Sequence, residues 1–133
     1  MSKLRAGVVG AGAFGRIHAR KYAEDTRVQF VGVFDPDDER AQQLADTHGA
    51  TSFATLDALI AAVDVVTIAS PPSFHAANAH PALVAGKHVL IEKPLATDAV
   101  RGVDLVRIAA EKKLVLACGH QERLVFEAMG LFD

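Results

Sequence analysis

The sequence has few of the residues that build disulfide-linked or metal-bound folds. Its 133 residues include one cysteine, Cys118, and no tryptophan. A single cysteine forms neither an internal disulfide nor a cysteine-rich metal site. The six histidines are not spaced as metal ligands alongside carboxylates or thiols. We therefore expect no bound metal, and the low cysteine content makes the reducing cytoplasm the expected compartment.

An excess of charge of either sign is also lacking. Fourteen Lys and Arg residues against sixteen Asp and Glu residues give a net charge of -2. This balance argues against nucleic acid or an anionic membrane as a partner. Residues 65–86 contain no charged side chain, but they include three prolines and two histidines, which a membrane-spanning helix rarely carries together. The length predicts one domain.

Strand-like and helix-like segments alternate along the chain. Apolar runs predict strands over 5–9, 28–34, 51–53, 63–69, 88–91 and 114–117. Helical spacing predicts helices over 13–24, 39–47, 56–62, 73–85 and 97–112, the fourth interrupted near Pro81. Continuous apolar strands that alternate with helices are typical of a parallel sheet covered on both faces. The sequence therefore predicts a single α/β domain built on a doubly wound parallel sheet.

A glycine-rich turn follows the first predicted strand and opens the first predicted helix. Its sequence fits G-x-G-x-x-G, and its residues are Gly10, Ala11, Gly12, Ala13, Phe14 and Gly15. In this motif the first glycine allows a tight turn, the second lets a pyrophosphate approach the backbone, and the third lets helix pack on strand. The helix N-terminus then directs free N–H groups at the phosphates. The motif in this position predicts the Rossmann dinucleotide-binding fold.

An acid follows the second predicted strand at the spacing this fold requires. Asp35 lies 20 residues after Gly15, where such a fold places a carboxylate for the adenosine ribose hydroxyls. The alternative is an aspartate that only shapes a turn before Pro36. A carboxylate about 4 Å from a 2′-phosphate charge costs on the order of 4 kcal/mol near a surface. We therefore predict NAD rather than NADP, and we interpret Arg40 as a solvated helix residue.

Other nucleotide-binding folds fit the sequence less well. A methyltransferase places an acid before its first glycines, whereas Val8 and Val9 stand there. A short-chain dehydrogenase needs Tyr-x-x-x-Lys, but the single tyrosine, Tyr22, is followed four places later by Thr26. No Gly-Lys-Ser/Thr sequence of a Walker A loop occurs.

Three segments of the second half resemble one dehydrogenase family. Residues 70–75 read SPPSFH, residues 85–96 read AGKHVLIEKPLA and residues 119–123 read GHQER. With the glycine turn, they closely resemble the glucose–fructose oxidoreductase/inositol dehydrogenase (Gfo/Idh/MocA) family. The resemblance implies an NAD(P)-dependent oxidoreductase that transfers hydride between nicotinamide and a sugar, polyol or related hydroxy/oxo substrate. In that family an α+β substrate domain follows the nucleotide-binding domain.

The resemblance also implies roles for particular residues. Glu92 contacts the nicotinamide ribose, and Lys93 faces the reacting carbon as the catalytic residue, where an ammonium stabilises a developing alkoxide. The alternative for these two is a surface ion pair. Ser70, Pro71 and His75 form a loop beside the central riboses, and Gln121 approaches the nicotinamide. For His75, the alternative is a purely structural hydrogen bond. For the protein as a whole, the alternative is a non-enzymatic NAD-binding or regulatory module. The bond from Lys93 to Pro94 is a candidate cis peptide.

The last residues differ from the rest of the chain. Residues 121–133 carry six large apolar side chains but no further strand. We interpret residues 1–120 as the dinucleotide-binding domain and residues 121–133 as a tail that leads toward a C-terminal substrate domain. We expect the chain alone to bind cofactor, to turn over little or no substrate, and to self-associate through this tail.

Overall fold

A six-stranded parallel sheet forms the centre of the protein. The computed structural model describes residues 2–119 and 127–130. The strands lie in the order β3-β2-β1-β4-β5-β6, and every neighbouring pair is parallel. Their bounds are Leu4–Val9 (β1), Val28–Phe34 (β2), Thr51–Ser52 (β3), Val65–Ile68 (β4), His88–Glu92 (β5) and Leu116–Gly119 (β6). The predicted doubly wound α/β fold is confirmed.

Five helices connect the strands, and polar side chains fix where several of them begin. Their bounds are Ala13–Glu24 (α1), Asp38–Thr47 (α2), Leu56–Ala62 (α3), His75–Val84 (α4) and Ala99–Lys112 (α5). A short 3-10 turn, Pro72–Phe74, precedes α4. The side chains of Asp37, Thr55 and Asp98 accept hydrogen bonds from first-turn backbone N–H groups of α2, α3 and α5. Such caps satisfy donors that have no partner within the helix.

Each face of the sheet has its own hydrophobic core. On one face, α1 and α2 pack through small residues such as Ala19 and Ala41 against Val8 and Val33. On the other face, α3, α4 and α5 bury larger side chains, among them Leu59, Leu83, Leu105, Ile68 and Ile91. The chain changes face between β3 and β4, so the connections that follow β1 and β4 run in opposite directions. This switch opens a crevice at the carboxyl ends of the strands, where such folds bind ligands.

One prediction about the helices is wrong. Helix α4 continues through Pro81 to Val84 without the expected interruption. A proline in a helix removes one backbone hydrogen bond. The buried side chains of Ala79, Ala82 and Leu83 around it hold α4 against the sheet. Tertiary packing therefore outweighs the local preference against proline.

The predicted tail lies largely outside the described residues, and so does Gln121. Residues 127–130 are exposed, including the Met129 side chain at 65%. The predicted self-association stays a prediction. Within residues 2–119 and 127–130, no helix has the length and apolar character needed to span a membrane.

Candidate cofactor site

An elongated crevice runs along the carboxyl ends of β1, β2, β4 and β5. Its larger part is a cavity of about 440 Å³ bounded by the glycine turn, Asp35 and the Ser70–Pro71 segment. A smaller cavity of about 130 Å³ continues it past Phe14 and Ser70 to Glu92 and Lys93. The structure thus brings ten of the predicted site residues to one edge of the sheet: Gly10, Gly12, Ala13, Phe14, Asp35, Ser70, Pro71, His75, Glu92 and Lys93.

The glycines of the turn are required by close backbone contacts. Gly10 has a φ of +99°, and a Cβ atom there would lie 2.7 Å from the carbonyl of Ala69. A Cβ atom on Gly15 would lie 1.7 Å from the carbonyl oxygen of Gly10. Helix α1 therefore begins directly against the turn, and no side chain of the described residues caps it. Its first N–H groups are left for another partner, as phosphate binding requires.

Asp35 is buried and held in place by the backbone. The residue is 8% exposed, one carboxylate oxygen accepts from the N–H of Ala11 at 2.7 Å, and the other accepts from the N–H of Asp37 at 2.8 Å. Each carboxylate oxygen can accept more than one hydrogen bond. The first contact ties the end of β2 to the glycine turn, so this carboxylate also shapes the site. It lines the larger cavity.

Arg40 is an exposed residue of α2, as predicted, and its side chain also reaches the crevice. Its side chain lines the cavity, and a guanidinium nitrogen lies 3.1 Å from where a Cβ atom of Gly12 would stand. The sequence did not predict that this exposed side chain borders the cavity. The side chain extends from α2 over the glycine turn because the cap at Asp37 fixes the start of α2 beside the end of β2.

His75 joins the two loops that border the crevice. Its side chain is 1% exposed, with Nε2 at 2.7 Å from the carbonyl oxygen of Ser70 and Nδ1 at 2.6 Å from that of Pro94. Both ring nitrogens face backbone acceptors, which favours the structural alternative for this side chain. Asn78, which the sequence did not single out, donates to the Ser70 hydroxyl at 2.7 Å.

Glu92 and Lys93 stand where β5 ends. Glu92 is 9% exposed, and its carboxylate contacts Nε2 of His18 at 2.5 Å. The Lys93–Pro94 peptide is cis, as predicted.

Burial, together with the nearby charge of Glu92, raises the pKa of the Cys118 thiol. This shift disfavours a reactive thiolate. No group of three His, Cys, Asp or Glu side chains in the described part of the chain is arranged to hold a metal ion.

Residues 4–120 match the family described as oxidoreductase family, NAD-binding Rossmann fold (GFO/IDH/MocA). The chain belongs to this family. The match covers every strand and helix of the sheet and both parts of the crevice. The predicted family and its oxidoreductase assignment are thereby confirmed.

Three similar proteins show how much of a relative the chain represents. It is 45% identical over 124 residues to UDP-N-acetylglucosamine 3-dehydrogenase of Acidithiobacillus ferrooxidans, covering 93% of this chain and 39% of that protein. The structure of GenD2 from gentamicin A biosynthesis, in complex with NAD, matches at 36% identity and a TM-score of 0.86, covering 90% and 35%. The structure of biliverdin reductase from Synechocystis, in complex with biliverdin and NADP+, matches at 34% identity and a TM-score of 0.90. This match covers 98% of this chain and 42% of that protein. The chain thus spans about two fifths of the length of these proteins.

Proposed function

We propose that this chain supplies the nucleotide-binding part of an oxidoreductase that moves a hydride between nicotinamide C4 and a sugar, polyol or related hydroxy/oxo carbon. The observation that carries this proposal is the single crevice with the glycine turn and Asp35 at one end and the Glu92–Lys93 pair at the other. A dinucleotide has its phosphates near the middle, its adenosine at one end and its reactive ring at the other. Residues 1–120 act as this domain, and residues 121–133 lead toward a substrate domain.

NAD is the preferred cofactor in this proposal. The backbone bonds to Asp35 fix its carboxylate beside the place for the adenosine ribose, where it accepts hydroxyl groups and repels a 2′-phosphate. Arg40 has the opposite charge and lies within the same cavity, but its side chain is exposed. A fixed, buried charge acts more strongly on its neighbours than a solvated one. Asp35 therefore outweighs Arg40.

The proposed contacts follow the cofactor along the crevice. Backbone groups from Gly10 to Gly15 bind the pyrophosphate, Ser70 and Pro71 lie beside the riboses, and Glu92 accepts from the nicotinamide ribose. His75 acts by holding the Ser70 carbonyl in place. Lys93 donates to the substrate oxygen during hydride transfer, which stabilises the developing alkoxide. Gln121, from outside the described residues, approaches the nicotinamide.

Calorimetric titration of the chain with NAD and NADP tests the cofactor proposal. We expect NAD to bind at least about tenfold more tightly, since one close charge repulsion exceeds 1.4 kcal/mol. Asp35→Ser should narrow or invert the preference. Arg40→Gln serves as the matched charge-removing variant and should widen it. Equal affinities in the unmutated chain would contradict the assignment of Asp35.

The role of Lys93 is tested in a chain that also carries a substrate domain. Lys93→Ala should lower kcat about a hundredfold or more while NAD affinity changes little, as expected of a group that acts in the transition state. Loss of NAD affinity with unchanged kcat would make Lys93 a cofactor contact instead.

Sedimentation of the 133-residue chain at several concentrations tests self-association through the tail, and a concentration-independent monomer would contradict it.

A further inference from the structure

Two side chains of α1 reach across the sheet from successive turns of the helix. His18 contacts Glu92 at the end of β5 at 2.5 Å, and the Tyr22 hydroxyl lies 2.6 Å from the Thr67 hydroxyl on β4. Residues four apart lie on one side of a helix. Both contacts tie α1 to the sheet, but only the first meets a residue of the crevice. The two are therefore separable by mutation.

The Glu92 carboxylate is confined on two sides. His18 meets one carboxylate oxygen, and the two side chains are 21% and 11% exposed. The other oxygen lies 3.2 Å from the place where a Cβ atom of Gly119 would stand, so β6 leaves room for the carboxylate by having glycine there. The carboxylate borders the smaller cavity together with Lys93. A ligand in that cavity meets a carboxylate whose orientation is already set.

We infer that His18 is the positioning residue for Glu92. Its Nε2–H donates to one carboxylate oxygen and fixes the plane of the carboxylate. The Glu92 carboxylate is then oriented to accept hydrogen bonds from the hydroxyls of a ribose at the nicotinamide end. The inference rests on the proposed function, because it takes Glu92 as the ribose contact. Without His18, a carboxylate on a strand end has several rotamers of similar energy, and binding a ribose must first select one of them. An oriented partner removes that cost.

The pair ADP and ADP-ribose isolates this effect in the 133-residue chain. The two ligands share the adenosine and the diphosphate, and ADP-ribose adds the second ribose. Calorimetric titration of both ligands measures the contribution of that ribose, and the ADP affinity reports whether the fold is intact. The variants are His18→Leu, which removes the donor, and His18→Gln, which keeps an N–H near the position of Nε2. Tyr22→Phe is the matched control, because it removes the other contact of α1 with the sheet.

His18→Leu should weaken ADP-ribose binding about tenfold, within the range for a hydrogen bond to a charged group, and leave ADP affinity within about twofold. His18→Gln should recover most of the loss, and Tyr22→Phe should change neither affinity. Glu92→Gln should weaken ADP-ribose binding, and adding His18→Leu to it should cost little more, because both act through one contact.

Three results would overturn the inference. An equal loss of ADP and ADP-ribose affinity in His18→Leu makes His18 a residue that only supports the fold. If Glu92→Gln weakens ADP-ribose binding but His18→Leu does not, Glu92 remains the proposed ribose contact and His18 does not position it. Unchanged ADP-ribose affinity in Glu92→Gln refutes the ribose contact itself, and the role of His18 with it.

Discussion

Polar groups at the two ends of the parallel strands are arranged in opposite ways. We call the side where the strands begin the amino edge and the side where they end the carboxyl edge. At the amino edge, Arg5 pairs with Asp64 at 2.8 Å with side chains 48% and 36% exposed, and Arg27 pairs with Asp25 at 2.7 Å. At the carboxyl edge, Asp35, His75 and Glu92 are each at most 9% exposed. The amino edge pairs charged side chains with each other in water. The carboxyl edge buries them against backbone atoms and a histidine.

This difference separates stability from function. An exposed ion pair contributes little, because water and salt screen both charges. A buried polar group must be hydrogen-bonded, and its partners then fix its position. Burial at the carboxyl edge thus produces an oriented set of groups around a crevice, at some cost in stability. The four charged side chains described at the amino edge do not line the crevice, and they remain exposed to water.

Glycines give the largest expected contrast between the edges. Gly15→Ala should lower the free energy of unfolding by about 3 kcal/mol, because the new methyl group would collide with the Gly10 carbonyl and push α1 off the turn. Gly86→Ala, in the loop that enters β5 at the amino edge, meets no atom within 4 Å and bears only the strain of its φ of +81°. That strain costs about 1–2 kcal/mol.

Urea unfolding of both glycine variants measures the two losses, and ADP titration adds a second readout. Gly15→Ala should also lose ADP binding, because the phosphate-binding turn moves, whereas Gly86→Ala should keep it. Similar losses of unfolding free energy in both variants would show that the glycine turn accommodates a methyl group as readily as an open loop does.

Two histidines make a smaller contrast of the same kind. His75→Leu removes the ring that contacts the carbonyl oxygens of Ser70 and Pro94 in two part-buried hydrogen bonds, and should cost about 1–3 kcal/mol. His88, at the amino edge, accepts one bond at Nδ1 from the N–H of Val115 at 3.0 Å and is only partly buried. Water can replace that bond, so His88→Leu should cost about 1 kcal/mol or less. Urea denaturation compares them, and equal costs would contradict the difference between the edges.

The parts of the site that the sequence predicts are those whose spacing is local. The glycine turn must follow a strand and open a helix, and Asp35 must end the next strand, so position along the chain is enough to predict them. The Glu92–Lys93 pair came from the resemblance, because a strand that ends in two charges has no distinctive spacing. The sheet itself followed from continuous apolar runs.

The residues that the sequence did not reveal act across long stretches of chain. His18 and Glu92 are separated by 74 positions, and their contact depends on how α1 lies over β4 and β5. His18 has the spacing of an ordinary helix residue, so no local signal distinguishes it from a solvated histidine. Arg40 is exposed as predicted, but no local signal indicates that its side chain borders the cavity. Contacts of this kind follow from packing between elements, which a single sequence does not specify.

The smallest effect is expected from acid at the amino edge. The Arg5 guanidinium, with the Arg5 backbone N–H, lowers the pKa of Asp64 from its ordinary 3.8 to about 2. Because the folded pKa is the lower one, the unfolded chain binds the proton first as pH falls. The stabilisation is therefore complete above pH 4 and is lost as pH falls through 4 toward 2. Asp64→Asn should flatten this part of the stability profile, measured by urea unfolding at several pH values. In 1 M salt the difference between the two proteins should shrink, because the pair is exposed. An undiminished acid slope in Asp64→Asn would assign that slope to other carboxylates, first of all Asp25, because the Arg27 guanidinium lowers the pKa of Asp25 to about 2 as well.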